Sequence, residues 1–321
     1  MQFGVSIGNF GGFGPRGDVQ DMLGIAERAD LLGFDSVWVA DHIFMPADIE
    51  SRYPYNDTGI SPFAYHLDIY DPLAMIAAMA VRTKRVRLGT SVLIIPYRNP
   101  LVLAKMLATL DQLSHGRVIL GVGAGWMAEE FEALGIGQYY PVRGSVTDEW
   151  IRICLKLWTS DGPASFHGKF HSFDDVGPGP QPVQKPHIPL WIGGTGDVAH
   201  RRVARYGDGY HPMPSTPQQV SEQLQSMRRE VEKRGRDPGK VVVSLNGPGI
   251  VIGGEYAAPE PGIARASGSK QQIIDRLAEY AKVGLQHCIV RPTFAGQTET
   301  TPASTMEAMQ YMAEEILPAL R

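Results

Sequence analysis

At 321 residues the chain is long enough to bury one large core or two ordinary ones, and its 30 basic against 34 acidic side chains leave a formal charge of -4. Without a long run of either sign, that balance argues against nucleic acid or an anionic membrane surface as a partner and in favour of a small molecule. Only Cys154 and Cys288 occur, the start MQFGVSIGNF lacks the basic and apolar segments of a signal peptide, and no apolar run approaches the roughly 20 residues that span a bilayer, so a reducing cytoplasm is the expected compartment.

Residues 3–7 alternate in polarity and end at Gly8, Asn9, Phe10, Gly11 and Gly12, which predicts a strand opening into a flexible mouth loop. Asp18 reads as the N-cap of a helix over 19–32 that stops at Gly33. The run SVWVA at 36–40 is a second strand and delivers Asp41 and His42 at its carboxyl end. Residues 43–70, rich in Pro, Tyr and Phe, form a long irregular segment of the kind that usually has a job, before Pro72 opens a helix reaching 81. RLGTSVLII at 87–95 is a third strand, followed by a helix over 101–113. A fourth strand at 118–122 breaks into Gly123, Ala124, Gly125 and Trp126, and a broken helical stretch then carries Glu129, Glu130 and Phe131. A helix over 146–158 and a small hairpin at 167–173 come next. The fifth strand, 190–192, stops at Gly193 and Gly194. Thr195, Gly196 and Asp197, the last a good N-cap residue, lead into a helix over 198–206. A short strand at 209–211, a polar amphipathic helix over 217–234 and a strand at 241–245 follow. Residues 246–267 wander with many Gly and Pro, as a lid or as loose surface. A helix over 269–283, an eighth strand at 287–291 and a closing helix over 303–317 complete the chain.

About eight strand and helix pairs predict an α/β fold of the (β/α)8 TIM-barrel type, one domain over 1–321 with insertions at the carboxyl-end face, where barrel sites lie. A doubly wound open sheet is the runner-up. In a barrel that face collects Asn9, Asp41, His42, Ser91, the turn 123–126, the loop 193–196, His211 and Arg291. The glycine loop ahead of the helix over 198–206 offers bare amides and the positive end of a helix dipole, which suits a phosphate or carboxylate; a tight turn without a ligand is the plain alternative. His42, beside Asp41, could move a proton near neutral pH, or could be a hydrogen-bonded wall residue. His211 reads more readily as wall. No H-x-H stands at the first strand, no H-E-x-x-H or G-x-S-x-G occurs, and Trp126 stands where a dinucleotide fingerprint needs its third glycine, so neither a metal nor a serine nucleophile is expected. What remains is an aromatic mouth with few strong acids or bases, which fits a cofactor that carries the reaction.

The stretches GFDSVWVADH at 33–42, RVRLGTSVLIIPYRNPLVLAKMLATLDQLSHGRVILGVGAGW at 85–126, EEFEALG at 129–135, RGSVTDEW at 143–150, IPLWIGG at 188–194 and ARYGDGY at 204–210 together resemble the bacterial luciferase-like superfamily of flavin and deazaflavin enzymes. The likeness spans roughly the first two-thirds of the chain. The wording SVWVADH and LGTSVL is most similar to the branch using the deazaflavin coenzyme F420 rather than FMN. This resemblance implies an F420-dependent oxidoreductase in which hydride passes between deazaflavin C5 and a carbonyl, activated alkene or alcohol. Its alternatives are an FMN-dependent monooxygenase and a non-catalytic flavin-binding relative. By the same resemblance Ser91 and Val92 match a non-prolyl cis peptide that bulges under the ring, and Asp41 and His42 match residues at the ring's polar edge and the reacting centre. Ala124 and Gly125 match backbone beside the ribityl chain, and Gly193, Gly194, Thr195 and Gly196 match the phosphate loop. His42 would move the proton and Asp41 would orient it. A homodimer is implied, with 71–81 and 101–113 as candidate interface helices. Sugar-phosphate dehydrogenases of the superfamily carry Glu where this chain has Trp126, another Glu near Asn9, and a Trp shortly after the His that residues 43–46 do not supply. These departures, with Tyr53, Tyr55 and Trp126, point to a flatter and more apolar substrate, in a pocket completed by Asn9, His211 and Arg291.

Overall fold

A computed structural model describes residues 1–11, 18–213, 216–256, 265–297 and 299–321. Its short apolar runs lie side by side as parallel strands. β1 (Gln2–Ser6) pairs with β2 (Ser36–Val39), and β2 with β3 (Arg87–Thr90). β3 resumes after Ser91 and Val92 as β4 (Leu93–Ile94), and both parts pair with β5 (Val118–Gly123). Outside the ring, β6 (Ala164–His167) and β7 (Ser172–Val176) form the antiparallel hairpin read from the sequence. Its turn is held by the buried Glu149 carboxylate, which accepts from the amides of Lys169, Phe170 and His171. β8 (Leu190–Gly193) continues the ring from β5, followed by β9 (Gly209–His211) and β10 (Val242–Ile252). β11 (Arg265–Gly268) lies against the far end of β10, and β12 (His287–Phe294) pairs with β10 and β1, which closes the barrel. The open doubly wound sheet is thereby ruled out.

The helices between the strands start where polar residues can take up their free amides. Asp18 caps α1 (Val19–Leu32), Asp71 caps α2 (Pro72–Arg82) and Asn99 caps α3 (Pro100–Leu113), the last two with proline in the first turn. A short α4 (Ala128–Ala133) precedes α5 (Arg143–Thr159) and α6 (Gly196–Tyr206). Thr216, Ser269 and Thr301 each form a reciprocal capping box at the starts of α7 (Pro217–Glu232), α8 (Lys270–Lys282) and α9 (Pro302–Tyr311). Among the described residues no helix is long and apolar enough to cross a membrane.

Two tryptophans fill the barrel's lumen, and glycines make room for them. A Cβ on Gly89 would lie 2.3 Å from Trp38, and one on Gly209 would lie 2.5 Å from Trp191. The two indoles meet at 5.2 Å between centroids and are joined by Ile119 and Ile289, so the lumen is a packed core on which the mouth rests.

The stretch 246–267 departs from its expectation. Residues up to Ile252 continue β10 beyond a register shift between Asn246 and Gly249, and Arg265–Gly268 adds to the same edge. Its glycines and prolines lower strand propensity, but parallel pairing on two sides satisfies the backbone and decides the conformation. Residues 257–264, the rest of the candidate lid, and Gly12 of the first loop lie outside the described residues.

Candidate active site

The carboxyl ends of the strands surround a cavity of about 630 Å³. Its floor is the break between β3 and β4, where the Ser91–Val92 peptide bond is cis. Val92 stands there because its neighbours on both sides are glycine. A Cβ on Gly123 would meet Val92 Cγ2 at 2.4 Å, and one on Gly193 would meet Val92 Cγ1 at 2.7 Å. The glycines of LGVG and WIGG therefore serve packing at the cavity floor as well as turning the chain.

At the rim of β8, Gly193, Gly194 and Thr195 line the cavity and Gly196 begins α6 at a φ of 78°. Thr195, not Asp197, is the N-cap, and its side chain makes no capping bond; Asp197 lies inside the first turn. The leading amides of α6 are thus left for a ligand, in the electrostatic setting that favours an anion.

Opposite that loop, His42 does not pair with its sequence neighbour. Its Nδ1 lies 2.6 Å from Glu130 Oε2 on α4. Glu130 is fully buried, and the same carboxylate accepts from the Ile43 amide at 2.8 Å and from the Tyr97 hydroxyl at 2.7 Å. An ionised carboxylate only accepts, so this arrangement puts the proton on His42 Nδ1 and leaves Nε2 free. Nε2 has no hydrogen-bond partner among the described residues, and His42 lines the cavity. Burial, reinforced by the charge of Glu130, pushes the Tyr97 hydroxyl far above the usual phenol range, so it remains a donor.

Asp41, expected to orient His42, faces the other way. Its carboxylate accepts from Arg98 Nη1 at 2.6 Å and Nη2 at 3.0 Å, and from the Ile94 amide at 2.8 Å. Burial pushes the Asp41 carboxyl up, and the Arg98 fork acts against it. On Arg98, Asp41 and Asp71 outweigh the opposing effect of burial and hold the guanidinium above its ordinary value. Consecutive residues leaving a strand point to opposite sides, so Asp41 secures β4 while His42 reaches the cavity. Asn9 is likewise committed to the frame: its amide donates to the Ala40 and Tyr70 carbonyls and accepts from the Ala40 amide, although it borders the cavity.

An aromatic wall rises from these residues. Trp126 meets Tyr53 at 5.2 Å and His42 at 6.0 Å, both edge to face, and Phe10 lies 5.4 Å from His42. Tyr55 packs on Tyr53 at 5.3 Å. Burial raises both phenols, so the wall is neutral at ordinary pH. The Trp126 turn is held by Arg143 Nε on the Gly125 carbonyl at 3.0 Å and by Tyr140 on the Trp126 carbonyl at 3.0 Å. Glu129, next to Glu130, accepts from the Glu50 and Ser51 amides, so α4 clamps the long loop at two places. Below the wall, His211 links Ser91 Oγ at 2.9 Å to Ser244 Oγ at 2.5 Å, stacked on Trp38. Burial pulls its pKa down to about 4. His211 is therefore a neutral part of the floor, buried beneath the cavity whose lining it shares.

A family model described as luciferase-like monooxygenase matches residues 1–261. The chain belongs to the luciferase-like monooxygenase family. An uncharacterised protein of Mycobacterium tuberculosis is 31% identical over 222 residues, 69% of this chain and 77% of that one. An F420-dependent glucose-6-phosphate dehydrogenase of Amycolatopsis mediterranei is 38% identical over 200 residues, 62% of this chain and 53% of the relative. Among solved structures, an F420-dependent secondary alcohol dehydrogenase in complex with an F420-acetone adduct superposes with a TM-score of 0.77 at 22% identity, covering 100% of this chain and 99% of that one. A monooxygenase from Streptomyces bottropensis gives 0.77 at 23%, covering 100% of each. At those identities the two superpositions establish the barrel fold.

For this luciferase-like chain the expected site residues do gather: Asp41, His42, Ser91, Val92, Ala124, Gly125, Gly193, Gly194 and Thr195 line one cavity with Asn9, Tyr53, Tyr55, Trp126, His211 and Arg291. Gly196 stands just behind it as the first residue of α6. Sequence reasoning missed Glu130, Tyr97, Arg98 and Arg143. A faint signal existed for Glu130, a carboxylate next to Phe131 in a short helix facing the core; nothing in the spacing tied it to His42.

Proposed function

We propose that this chain is an F420-dependent oxidoreductase that passes a hydride between C5 of the deazaflavin and a small, mostly apolar organic substrate such as a carbonyl, activated alkene or alcohol. The observation that carries the reading is the His42 imidazole, held at Nδ1 by a buried carboxylate and free at Nε2 inside a cavity whose far rim is an uncapped helix start. Family membership and the F420-dependent relative in Amycolatopsis support the choice of coenzyme. The residues present fit such a group. Gly193, Gly194, Thr195 and Gly196 would hold its phosphate, Ser91 and Val92 would support its ring, and Ala124 and Gly125 would border its chain. When bound, F420 supplies a two-electron hydride donor or acceptor that reacts poorly with oxygen.

The chain's own residues supply the rest. His42 Nε2 delivers or removes the proton that accompanies the hydride at the substrate oxygen or carbon, and Glu130 holds the imidazole in the tautomer that makes this possible. Asp41 and Arg98 secure the strand that carries the floor. Phe10, Tyr53 and Trp126 offer a flat apolar surface and exclude water from the reacting atoms.

Anaerobic titrations with F420 and with FMN, side by side, test the reading. F420 is expected to bind at least tenfold tighter, about 1.4 kcal/mol, and turnover with F420 is expected to continue without oxygen. Tighter binding of FMN with oxygen-dependent turnover would make the chain a monooxygenase, and binding without turnover would make it a carrier.

We extend the proposal to one barrel domain over the whole chain, acting as a homodimer in the cytoplasm. Two observations support it: Cys154 and Cys288 are free and buried, and the packed pair α2 and α3 exposes Val81, Val102 and Met106. Met106→Glu is expected to halve the mass measured by sedimentation; a wild-type monomer would end the dimer reading.

A further inference from the structure

Three side chains under the cavity form one run of hydrogen bonds, and its direction follows from the donors each of them has. Ser91 Oγ lies 2.9 Å from His211 Nε2, and His211 Nδ1 lies 2.5 Å from Ser244 Oγ. Ser244 is fully buried on β10, and among the described residues its hydroxyl has no hydrogen-bond partner besides His211. A neutral imidazole has one N–H and one bare nitrogen, and burial keeps His211 neutral. Were the proton on Nδ1, Ser244 would accept it and its own O–H would be left buried without an acceptor, at the full cost of desolvating that donor. The other tautomer leaves nothing unpaired beneath the floor: Ser244 donates to Nδ1, and Nε2–H donates to Ser91 Oγ.

Ser91 is left with a spare donor. Its oxygen accepts from His211, and no described residue takes its own O–H. Ser91 is half-buried, and both it and His211 line the cavity, so the bond between them lies at the cavity's edge and the spare donor has that space to face. The imidazole between the two hydroxyls is fixed in place, stacked on Trp38 with 11° between the ring planes. The run therefore points one way, from a buried hydroxyl through the ring to the floor, and donors in series strengthen one another.

We propose that the Ser91 hydroxyl donates to the redox ring on the cavity floor, aimed there by Ser244 and His211, and that this donor biases the coenzyme toward its reduced form. The inference rests on the oxidoreductase reading for the identity of the ring, and adds a directed hydroxyl to the support that Ser91 and Val92 give it. Hydride uptake adds one negative charge to the ring system, and an O–H donor binds a charged acceptor more strongly than a neutral one. A preference for one redox state in binding is the same quantity as a shift in the equilibrium between the two. A tenfold change in the ratio of dissociation constants corresponds to about 30 mV for a two-electron couple. Ser91 meets the ring itself, whereas His211 and Ser244 act through Ser91 and are positioning residues.

Two measurements test this, and neither needs turnover. Nitrogen NMR of the histidine-labelled protein as isolated, with His211 assigned by its loss in His211→Asn, is expected to find the imidazole proton on Nε2. A proton on Nδ1 would turn the Ser91 hydroxyl back onto the imidazole and overturn the proposal. Anaerobic titrations with oxidised and with reduced F420 give the second readout. Ser91→Ala is expected to lower the preference for the reduced form threefold or more relative to wild type, and Ser91→Thr, which keeps the hydroxyl, to retain it. Ser244→Ala is expected to lose part of it as His211 gains its second tautomer. A Ser91→Ala protein that keeps the wild-type preference, or that binds both forms more weakly by the same factor, would overturn the proposal. The same titrations with oxidised and reduced FMN separate this result from the coenzyme reading. If FMN binds and F420 does not, the coenzyme reading fails and the preference is read on FMN; if neither binds, both readings fail.

Discussion

Replacing His42 by alanine is expected to lower turnover by about 10²–10⁴-fold, the usual yield of a placed proton carrier, while F420 affinity stays within a few-fold of wild type. The expectation rests on a division of labour between the two ring nitrogens, with Nδ1 spent on Glu130 and Nε2 open to the cavity. Glu130→Gln separates the carboxylate's contribution from that of the ring. A glutamine offers one oxygen and one NH2, whereas the native carboxylate accepts from three donors, His42 Nδ1, Tyr97 Oη and the Ile43 amide. One donor must then face another, and the imidazole loses its fixed tautomer. The expected result is a kcat at least tenfold lower with KM nearly unchanged, in a protein that melts earlier. Tyr97→Phe keeps the carboxylate and is expected to retain most of kcat. Undiminished turnover in His42→Ala would remove the proposed role, and a Glu130→Gln protein that raised KM alone would make the carboxylate a packing residue.

Stability is expected to fall steeply as pH drops through the range just below neutrality, because two imidazoles are locked in the lumen without charge. Burial pulls His211 from 6.5 to about 4, and pulls His287 from 6.5 to about 3 with help from His211 and Arg87. Between pH 6.5 and 4 the unfolded chain therefore binds protons at both positions that the folded chain refuses. Each site then removes about 1.4 kcal/mol per pH unit as pH falls. The contribution is complete above 6.5 and is lost toward acid, with His287 continuing to about 3. Asp30 and Glu129 have carboxyl pKa values held below their ordinary ones by backbone amides, burial opposing. They titrate at lower pH, so the slope of urea midpoints between about pH 6.5 and 5 comes from His211, His287 and His200, the last also lowered by burial, and is opposed by Asp41, whose carboxyl burial raises. A flat midpoint across that window, or imidazole ring-proton NMR shifts that titrate there in the folded protein, would contradict the assignment. His287→Asn, which keeps a partner for Ser36, is expected to flatten the slope, leaving His211 and His200 to account for what remains; the native contact is 2.7 Å. The link to function is direct, since a charge on His211 would sit under the floor residue Ser91.

Legibility of the site varied with the range over which each feature is encoded. Asp18 could be named as a cap because capping involves a residue and the amide two or three positions on. The turn after β8 was readable for the same reason, yet the cap proved to be Thr195 rather than Asp197, since which residue leaves the helical conformation depends on how the loop meets the rim. The stretch 246–252 was misread because its glycines and prolines speak only of local preference. Pairing with β12 and β11, laid down by residues well along the chain, outweighs that preference.

By itself the amino-acid order determined the succession of strands and helices, hence the barrel and the end of it that holds the site, because hydrophobic period and turn chemistry are properties of a few consecutive residues. It also determined that Asp41 and His42 leave one strand together. Only the tertiary structure decided what each of them does. The carboxylate that meets His42 comes from 88 positions away, and Asp41 turns to an arginine 57 positions away. The same holds for the glycines that admit Val92. Hydrogen bonds and ion pairs fall off within a few ångströms, so their partners are set by which strands the closed ring makes neighbours, and no spacing along the chain records that.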